Sequence, residues 1–286
     1  MTYLILTLLT ICFLYLYLIM PALRRKPGFN EINTVYFAHR GLHDNNPSGS
    51  GHHSEGGVPT APENSLKSFE LAIEAGYGIE LDIQLSKDNQ VIVFHDETLE
   101  RMCGIPGAVL DYTYDELKAL PLLGSDQQIP LLTETLKLVA GHIPLIIEYK
   151  IVKHNLTVCT LGDEILRDYQ GPYVIESFHP FALRWYKKNN PTVIRGQLAT
   201  RFIVHKEYRS LQYWLLQNLL LNFITKPDFI AFEYKYPRMW SRSLCRYLYQ
   251  NPAVTWTITT PDALEKVKTK FDWFIFEGFD LNKKKI

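Results

Sequence analysis

Short apolar runs of strand length, rich in β-branched or aromatic residues, recur along the chain from about residue 33. The predicted strands are TVYFA, GIELDIQL, IPLIIEYK, YVIESF, TVIRGQLA, DFIAFE, AVTWTI and DWFIFE. Between most of them lie stretches with a helical apolar period, namely NSLKSFELAIEAG, TETLKLVAG, LGDEILRDYQG, HPFALRWYKKN, SLQYWLLQNLLLN, RSLCRYLYQ and PDALEKVKTK. Eight strands that alternate with helices predict an α/β fold, a closed (β/α)₈ TIM-type barrel. An open doubly wound sheet is the alternative.

One further apolar run, QVIVFH, follows GIELDIQL too closely for a helical crossover. The linker SKDNQ centres on Asp88 and Asn89, a polar pair that suits a two-residue hairpin turn. Counting outward from that turn pairs Lys87 with Gln90 and places His95 opposite Asp82. The sequence therefore predicts an extra β-hairpin strand on the barrel.

Residues 3–23 are uncharged and long enough to cross a hydrocarbon core of about 30 Å as a helix. A cleaved signal peptide is the alternative, but a basic first region and a small-x-small cleavage site are missing. Arg24, Arg25 and Lys26 follow, and the positive-inside rule places them in the cytoplasm. We expect a single-pass membrane protein with an anchor over residues 1–26 and a cytoplasmic barrel domain over residues 33–286.

The composition narrows the classes of protein. A formal net charge of zero gives no net electrostatic attraction for nucleic acid, so no nucleic-acid partner is expected. The 47% hydrophobic content over 286 residues supports one large core, or at most two domains. The four cysteines are scattered without paired spacing, which argues against a disulfide framework or a zinc site and fits a reducing compartment.

Carboxylates end two of the predicted strands. Glu80 and Asp82 lie two residues apart, hence on one face, while the flanking Ile and Leu residues take the opposite face and would pack on the helices. Two buried carboxylates repel each other unless a cation lies between them. Glu148 ends another strand and completes an oxygen-rich set suited to Mg²⁺ or Ca²⁺. Lys150, on the same face as Glu148, either holds a phosphate oxygen or forms a simple ion pair with that carboxylate.

Two histidines end strands at the same predicted rim. His39 and Arg40 end the first strand and His95 ends the hairpin, so we expect them to face the carboxylates. Two histidines beside a metal and an arginine form a general acid and base flanking a phosphate. The Gly/Ser/Pro-rich stretch over residues 42–62 predicts a long loop, whose His52-His53 pair we interpret as solvated rather than metal-binding.

The ordered motifs resemble those of the glycerophosphodiester phosphodiesterases of the bacterial type. AHRG, the stretch from APENSLKSFELAIEAG to VIVFHDETLERMCG, and IPLLTETL, IPLIIEYK, SFHPFALRWY and WTITTPDAL carry the resemblance, which runs from about residue 34 to 264. It implies a (β/α)₈ barrel that uses a divalent cation to hydrolyse glycerophosphodiesters to glycerol 3-phosphate and an alcohol. Two features depart from the family pattern: the loop before Glu63 is long, and Glu277-Gly278 replace a Gly-Ile-Ile-Thr-Asp-like strand end.

Carried over position by position, the resemblance implies a role for each matching residue. It matches His39 and His95 with the catalytic acid–base pair, Glu80, Asp82 and Glu148 with the metal ligands, Arg40 and Lys150 with phosphate contacts, Glu63 with a motif acid near the site, and Trp256 with an aromatic at the mouth. The alternative for Trp256 is a barrel core residue. The alternatives for the function are a lysophospholipase D acting on membrane lysophospholipids, with FEYKYPRMW near the bilayer, and an inactive phosphodiester-binding barrel.

Overall fold

The structure, a computed structural model, describes residues 1–45, 58–279 and 281. Its strands are β1 Tyr36–His39, β2 Gly78–Leu85, β3 Val91–Val93, β4 Leu145–Tyr149, β5 Tyr173–Ser177, β6 Arg195–Ala199, β7 Phe229–Glu233, β8 Ala253–Ile258 and β9 Trp273–Phe276. Its α-helices are α1 Thr2–Ile19, α2 Leu66–Ala75, α3 Glu100–Cys103, α4 Tyr114–Lys118, α5 Leu132–Val139, α6 Thr157–Leu166, α7 Pro180–Asn189, α8 Leu211–Gln217, α9 Asn222–Thr225, α10 Trp240–Tyr247 and α11 Pro261–Val267. The predicted His52-His53 pair lies outside the described residues.

Eight parallel strands close into a barrel. Every strand except β3 pairs in parallel with its neighbours, and β1 pairs with both β2 and β9. Phe37 of β1 lies opposite Gly78 on one side and Ile275 on the other, so the sheet has no free edge there. The predicted TIM-type barrel is confirmed and the open doubly wound sheet is wrong. The last strand closes the barrel even though Glu277 follows it in place of the expected motif.

The hairpin has a different register from the predicted one. Asn89 adopts a left-handed conformation with φ of 62°, and the Ser86 N–H donates to the Gln90 carbonyl at 3.0 Å. The loop therefore has three residues rather than two, and a left-handed third residue is typical of that loop length. Ile83 pairs with Val93, and Asp82 faces Phe94 instead of His95. The predicted pairing of Asp82 with His95 is wrong by one residue.

The alternation along β2 divides the protein into two main cores. The apolar residues of β2 pack outward beneath the helices, in one large cluster with residues of α2, α5, α6 and α7. A second cluster fills the barrel itself with Phe37, Phe229 and Trp273 among its largest members. Because side chains of a strand alternate between the faces, Glu80 and Asp82 point into the barrel, where the sequence places them.

Two regions differ from the predicted helices. The segment between β3 and α5 contains α3 and α4 and forms its own small apolar core around Leu99, Val109 and Leu117, which the sequence analysis does not predict. The single helix predicted over residues 210–222 is interrupted instead. Leu219 takes a left-handed conformation and the Leu220 N–H donates to the Leu215 carbonyl, a Schellman-type ending that separates α8 from α9.

The N-terminal helix α1 is long and apolar enough to cross a membrane, by length and composition. Its last turn and the segment after it contact the N-terminal ends of the barrel strands, which we call the base. Phe29 enters the barrel from the base and packs against Trp273. Lys26 forms an ion pair with the buried Asp228 at 2.7 Å. The division into residues 1–26 and 33–286 stays a prediction, although residues 26–30 are packed as part of the barrel.

Candidate active site

Three buried carboxylates meet at the carboxyl ends of two adjacent strands. Glu80 and Asp82 belong to β2 and Glu148 to β4, and Asp82 and Glu148 are register partners in the sheet. One oxygen from each of the three lies within 4.8 Å of the others. Parallel strands bring their carboxyl ends to one rim of a barrel, so the short spacing within each strand becomes a compact cluster. The structure therefore brings together the three predicted metal ligands.

Lys150 lies among these carboxylates. Its Nζ is 2.9 Å from Asp82 and 2.7 Å from Glu148, so the predicted ion pair with Glu148 is present, and the phosphate contact stays a prediction. Burial would raise the pKa of Asp82, but the charges of Lys150, His95 and Arg40 together outweigh it and hold that pKa well below its usual range. Burial and the neighbouring carboxylates raise the pKa of Glu80 well above its usual range. The cluster thus retains uncompensated carboxylate repulsion.

A left-handed turn directs Arg40 toward the same cluster. Arg40 has φ of 56° and Gly41 has φ of 81°, and a Cβ on Gly41 would lie 2.4 Å from the Ser68 hydroxyl. Only glycine fits there, since both the conformation and the space exclude a side chain. The turn lets the Arg40 backbone N–H donate to Glu80 at 3.2 Å, while its guanidinium Nε lies 3.3 Å from Asp82.

His39 is held by a carboxylate from the last strand end. Its Nδ1 lies 2.6 Å from Glu277, and its Nε2 lies 3.9 Å from Glu80. Burial raises the pKa of Glu277, but the hydrogen bond from His39 and the nearby His43 outweigh it and hold that pKa well below its usual range. An ionised carboxylate only accepts hydrogen bonds, so Nδ1 carries the hydrogen and Nε2 faces the cluster. Burial, followed by the charge of Arg40, lowers the pKa of His39 to about 4.

His95 has a comparable partner. Its Nδ1 lies 2.6 Å from Asp96, whose other contacts are hydrogen bonds from the Arg101 guanidinium. These hydrogen bonds outweigh burial and hold the pKa of Asp96 below its usual range. As with His39, Nε2 is the nitrogen left for a substrate. The chain reaches this position after leaving β3, so His95 arrives at the rim although its predicted pairing is wrong.

Glu63 lies behind Arg40 rather than among the metal-suited carboxylates. It accepts hydrogen bonds from Arg40 at 2.7 Å and from both terminal nitrogens of Arg101, and Asn45 donates to it as well. Burial would raise its pKa, but the Arg101 hydrogen bonds and the charge of Arg40 lower it to about 2. Glu63 therefore fixes the position of Arg40. The adjacent Asn64 donates to Asp82 at 2.9 Å and orients that carboxylate.

These side chains line a cavity of about 100 Å³. Its lining includes seven residues that the sequence analysis selects, and also Glu176, which it does not. The seven are His39, Arg40, Glu80, His95, Glu148, Lys150 and Trp256. The Trp256 ring packs edge-on against Phe178, and its indole N–H has no hydrogen-bond partner among the described residues. Trp256 thus belongs both to the wall of the cavity and to the edge of the barrel core.

The sequence analysis did not identify several of the residues here. Glu176 at the end of β5 is a fourth buried carboxylate, register partner of Glu148, and one of its oxygens has no hydrogen-bond partner among the described residues. The sequence signal for Glu176 was a glutamate near the end of the predicted strand YVIESF, as Glu148 is near the end of IPLIIEYK. Asp96 and Glu277, which hold the two histidines, were quoted in motifs but received no role. His43, 3.5 Å from Glu277, had no signal in the pattern.

The residues fit a divalent cation of the hard type. All donors in the cluster are carboxylate oxygens, which Mg²⁺ and Ca²⁺ prefer. One oxygen of Glu176 has no hydrogen-bond partner among the described residues, and the other carboxylates of the cluster add to the rise in the pKa of Glu80 that burial causes. A cation here would lie beside two histidines and Arg40, an arrangement able to transfer protons around a phosphate.

The barrel and its rim suit chemistry on a phosphate, and comparison with known proteins identifies the family, one of phosphoric diester hydrolases. The profile of the Glycerophosphoryl diester phosphodiesterase family matches residues 39–231. The chain belongs to this family. A protein of Bacillus altitudinis named glycerophosphodiester phosphodiesterase is 32% identical over 193 residues, which cover 60% of this chain and 69% of that protein.

Two further proteins extend the comparison. A human protein named lysophospholipase D is 31% identical over 165 residues, which cover 52% of this chain and 52% of that protein. The crystal structure of a glycerophosphodiester phosphodiesterase from Thermotoga maritima has a TM-score of 0.62 at 25% identity and covers 85% of this chain and 94% of that one. The barrel and its family assignment therefore agree.

Proposed function

We propose that the protein hydrolyses glycerophosphodiesters to glycerol 3-phosphate and an alcohol, with a divalent cation, Mg²⁺ or Ca²⁺, held by Glu80, Asp82 and Glu148. The observation that carries the proposal is the close approach of these buried carboxylates at the barrel rim, with oxygens within 4.8 Å of one another. The name of the Bacillus altitudinis relative supports the substrate class.

The protein's own groups bind and orient the diester. Arg40 and Lys150 offer positive charge to the phosphate oxygens, and Glu63 keeps Arg40 in place through its 2.7 Å hydrogen bond. Trp256 offers an apolar face and an unpaired N–H to the glycerol side. When bound, the cation supplies charge that polarises the phosphate. Arg40, Lys150 and the indole would then hold the scissile P–O bond between the two histidines.

The two histidines move the protons. Nε2 of one accepts the proton of the nucleophile, which is either water or the neighbouring glycerol hydroxyl, and Nε2 of the other donates a proton to the departing alkoxide. Glu277 and Asp96 accept hydrogen bonds from Nδ1 of His39 and His95, with Nδ1–O distances of 2.6 Å. Both rings therefore present Nε2 to the substrate. Burial and the charge of Arg40 lower the pKa of His39 to about 4, so His39 is neutral near pH 7 and able to accept a proton.

The test is hydrolysis of a panel of glycerophosphodiesters and lysophospholipids by the purified full-length protein. We expect glycerol 3-phosphate release from the diesters, loss of activity in a chelator, and recovery on adding Mg²⁺ or Ca²⁺. Full activity of metal-free protein in excess chelator contradicts the cation. Phosphodiester binding without turnover of any substrate, at saturating metal, would support the alternative of an inactive barrel.

A lysophospholipase D is the second candidate. The human relative of that name, 31% identical, is the observation that favours it. A lysophospholipid carries the same glycerophosphodiester group with one acyl chain, so the same residues would act on it. Preferred hydrolysis of lysophospholipids over deacylated diesters in the same panel would establish this candidate.

We further propose that α1 attaches the protein to a membrane, with the barrel on the cytoplasmic side. The uncharged residues 3–23 and the following Arg24, Arg25 and Lys26 support both statements. Protease added to intact cells should spare the barrel and digest it after lysis. Digestion from outside contradicts the orientation, and a mature N-terminus beyond Leu23 contradicts the anchor.

A further inference from the structure

The last turn of α1 is bound to the barrel through its backbone carbonyls. The carbonyl of Ile19, which is buried, accepts from the Asn222 side-chain amide at 2.9 Å, and the carbonyl of Met20 accepts from Lys226 Nζ at 3.2 Å. The Tyr249 hydroxyl donates to a further carbonyl of the same turn at 2.9 Å. The final carbonyls of a helix have no partner within the helix, so these donors stabilise its attachment. A flexible linker does not separate α1 from the barrel.

The attachment is at the base of the barrel, opposite the active site. The Ala22 N–H donates to the Pro227 carbonyl at 2.9 Å, immediately before β7 begins, and α9 lies in the same connection. All eight barrel strands run in one direction, so the start of β7 marks the end remote from Glu80 and Asp82. The helix and the catalytic rim therefore lie at opposite ends of the barrel.

Beyond its last turn, α1 leaves the barrel. Residues 2–14 are all exposed, although all but the three threonines among them are apolar. At about 1.5 Å per residue this part measures about 20 Å, less than the roughly 30 Å of a hydrocarbon core. If α1 spans a bilayer, its docked turn must also lie at membrane depth or at its surface. The base of the barrel is then in direct contact with the membrane.

The side chains around the docked helix suit a membrane surface. Leu23 and Tyr247 are each 66% exposed, and Arg24, Arg25 and Lys188 are exposed beside them or at the base end of α7. Basic residues bind anionic headgroups, and exposed aromatic residues favour the interface. Among the acidic groups at this end, Asp272 is bound by Arg246 at 2.5 Å, whereas Glu31, Glu74 and Asp168 are exposed.

Exposed apolar residues also occur at the catalytic end. Trp240 is 81% exposed at the start of α10, and Leu211 is 72% exposed at the start of α8. These positions follow the carboxyl ends of β7 and β6, so they belong to the rim and not to the base. With α1 docked at the base, the rim residues are directed away from the bilayer that α1 enters.

We propose that the base of the barrel faces the bilayer, so that the active site opens to the aqueous phase and takes water-soluble glycerophosphodiesters, not lysophospholipids embedded in that membrane. The inference rests on the membrane attachment and the diester hydrolysis proposed above. It differs from both because it specifies which end of the barrel the lipid meets and which physical form of substrate reaches the site.

The orientation is tested with two fluorescent labels on the full-length protein in lipid nanodiscs that contain spin-labelled anionic lipids. Single cysteines replace two exposed basic residues, Lys188→Cys at the base and Arg238→Cys at the rim, in a chain that carries Cys12→Ala and Cys103→Ala. We expect the spin label to quench the fluorophore at position 188 at least several-fold more than the fluorophore at position 238. Equal quenching, or stronger quenching at position 238, overturns the orientation.

The substrate arm uses the same nanodiscs and the unlabelled full-length protein. We expect at least 10-fold faster hydrolysis of a soluble glycerophosphodiester than of the lysophospholipid with the same headgroup embedded in the disc. Equal or faster hydrolysis of the embedded lipid overturns the inferred substrate class. Hydrolysis of neither substrate, with quenching stronger at position 188, overturns the proposed activity while the orientation is supported. The two failures are therefore distinguishable.

Discussion

Nδ1 of His39 lies 2.6 Å from a carboxylate oxygen of Glu277, and this contact joins the first barrel strand to the last across the closure of the sheet. Glu277 thereby sets which nitrogen of His39 carries hydrogen and directs the other toward Glu80. The resemblance leads us to expect a Gly-Ile-Ile-Thr-Asp-like strand end here, and the chain has Glu277-Gly278 instead.

The role of Glu277 predicts a separation between kcat and KM. Glu277→Gln keeps the shape of the side chain, but its amide can rotate and donate to Nδ1 of His39. His39 then no longer has to carry its hydrogen on Nδ1, so we expect kcat to fall about 10²-fold with KM little changed. Glu277→Asp, which keeps the charge, should recover part of the loss. Steady-state kinetics on a soluble diester measure both. An unchanged kcat in Glu277→Gln would show that the contact does not position His39.

The histidine pair predicts non-additive losses. His39→Ala and His95→Ala should each lose about 10²–10⁴-fold in kcat, because each removes a positioned acid or base. The double variant should lose much less than the product of the two losses, since both act on one transition state. A p-nitrophenyl diester, whose leaving group needs no proton, should restore the general-acid variant far more than the general-base variant. Near-wild-type kcat in either variant on an unactivated diester would contradict the pair.

The carboxylate cluster predicts metal binding that can be measured without turnover. Asp82→Asn removes a charge from the centre of the cluster, and we expect titration calorimetry to show Mg²⁺ or Ca²⁺ affinity reduced at least 10-fold. Asp126→Asn, on an exposed loop, is the matched control and should bind like the wild type. The melting temperature should change little in the control. Equal affinity in Asp82→Asn and the wild type would remove Asp82 from the ligand set.

Glu63 predicts a specific loss of stability in acid. Its pKa falls from 4.5 to about 2 on folding, so its contribution is fully present above pH 4.5 and is lost as the pH falls through about 2. That contribution is about 3 kcal/mol in total, of which about 2 kcal/mol is lost by pH 3. Urea unfolding at pH 6 and pH 3 should show a smaller pH difference for Glu63→Gln than for the wild type. Equal differences would contradict the ion pairs with Arg40 and Arg101.

The barrel was predictable because alternating strands and helices leave a strong periodic pattern, and β2 carries its inward carboxylates and outward aliphatic residues in plain alternation. The hairpin register was not predictable, since the sequence pattern is the same for two-residue and three-residue turns. The left-handed conformation of Asn89 in the structure distinguishes them. The four-residue α3 and five-residue α4 are too short for a period to appear.

The part of the candidate site that comes from neighbouring residues of one strand was predictable. Contacts between residues far apart in the sequence, which exist only because the sheet closes, were not. Glu80 and Asp82 share a strand, and their motif is visible in the sequence. The contact of His39 with Glu277 exists only because β1 pairs with β9, so no local pattern predicts it. The same holds for Arg101, which reaches Glu63 from the small core that the sequence did not predict.

The pairing of β1 with β9 also sets an order of events during synthesis. Phe37 cannot find its partner Ile275 until β9 has left the ribosome, long after α1 has emerged. Until then β1 and β8 each keep an unpaired edge, the kind of edge that pairs readily with other chains. Growth from the N-terminus therefore leaves the barrel open until β9 is made, and a nascent chain that stalls before β9 would present two such edges at once.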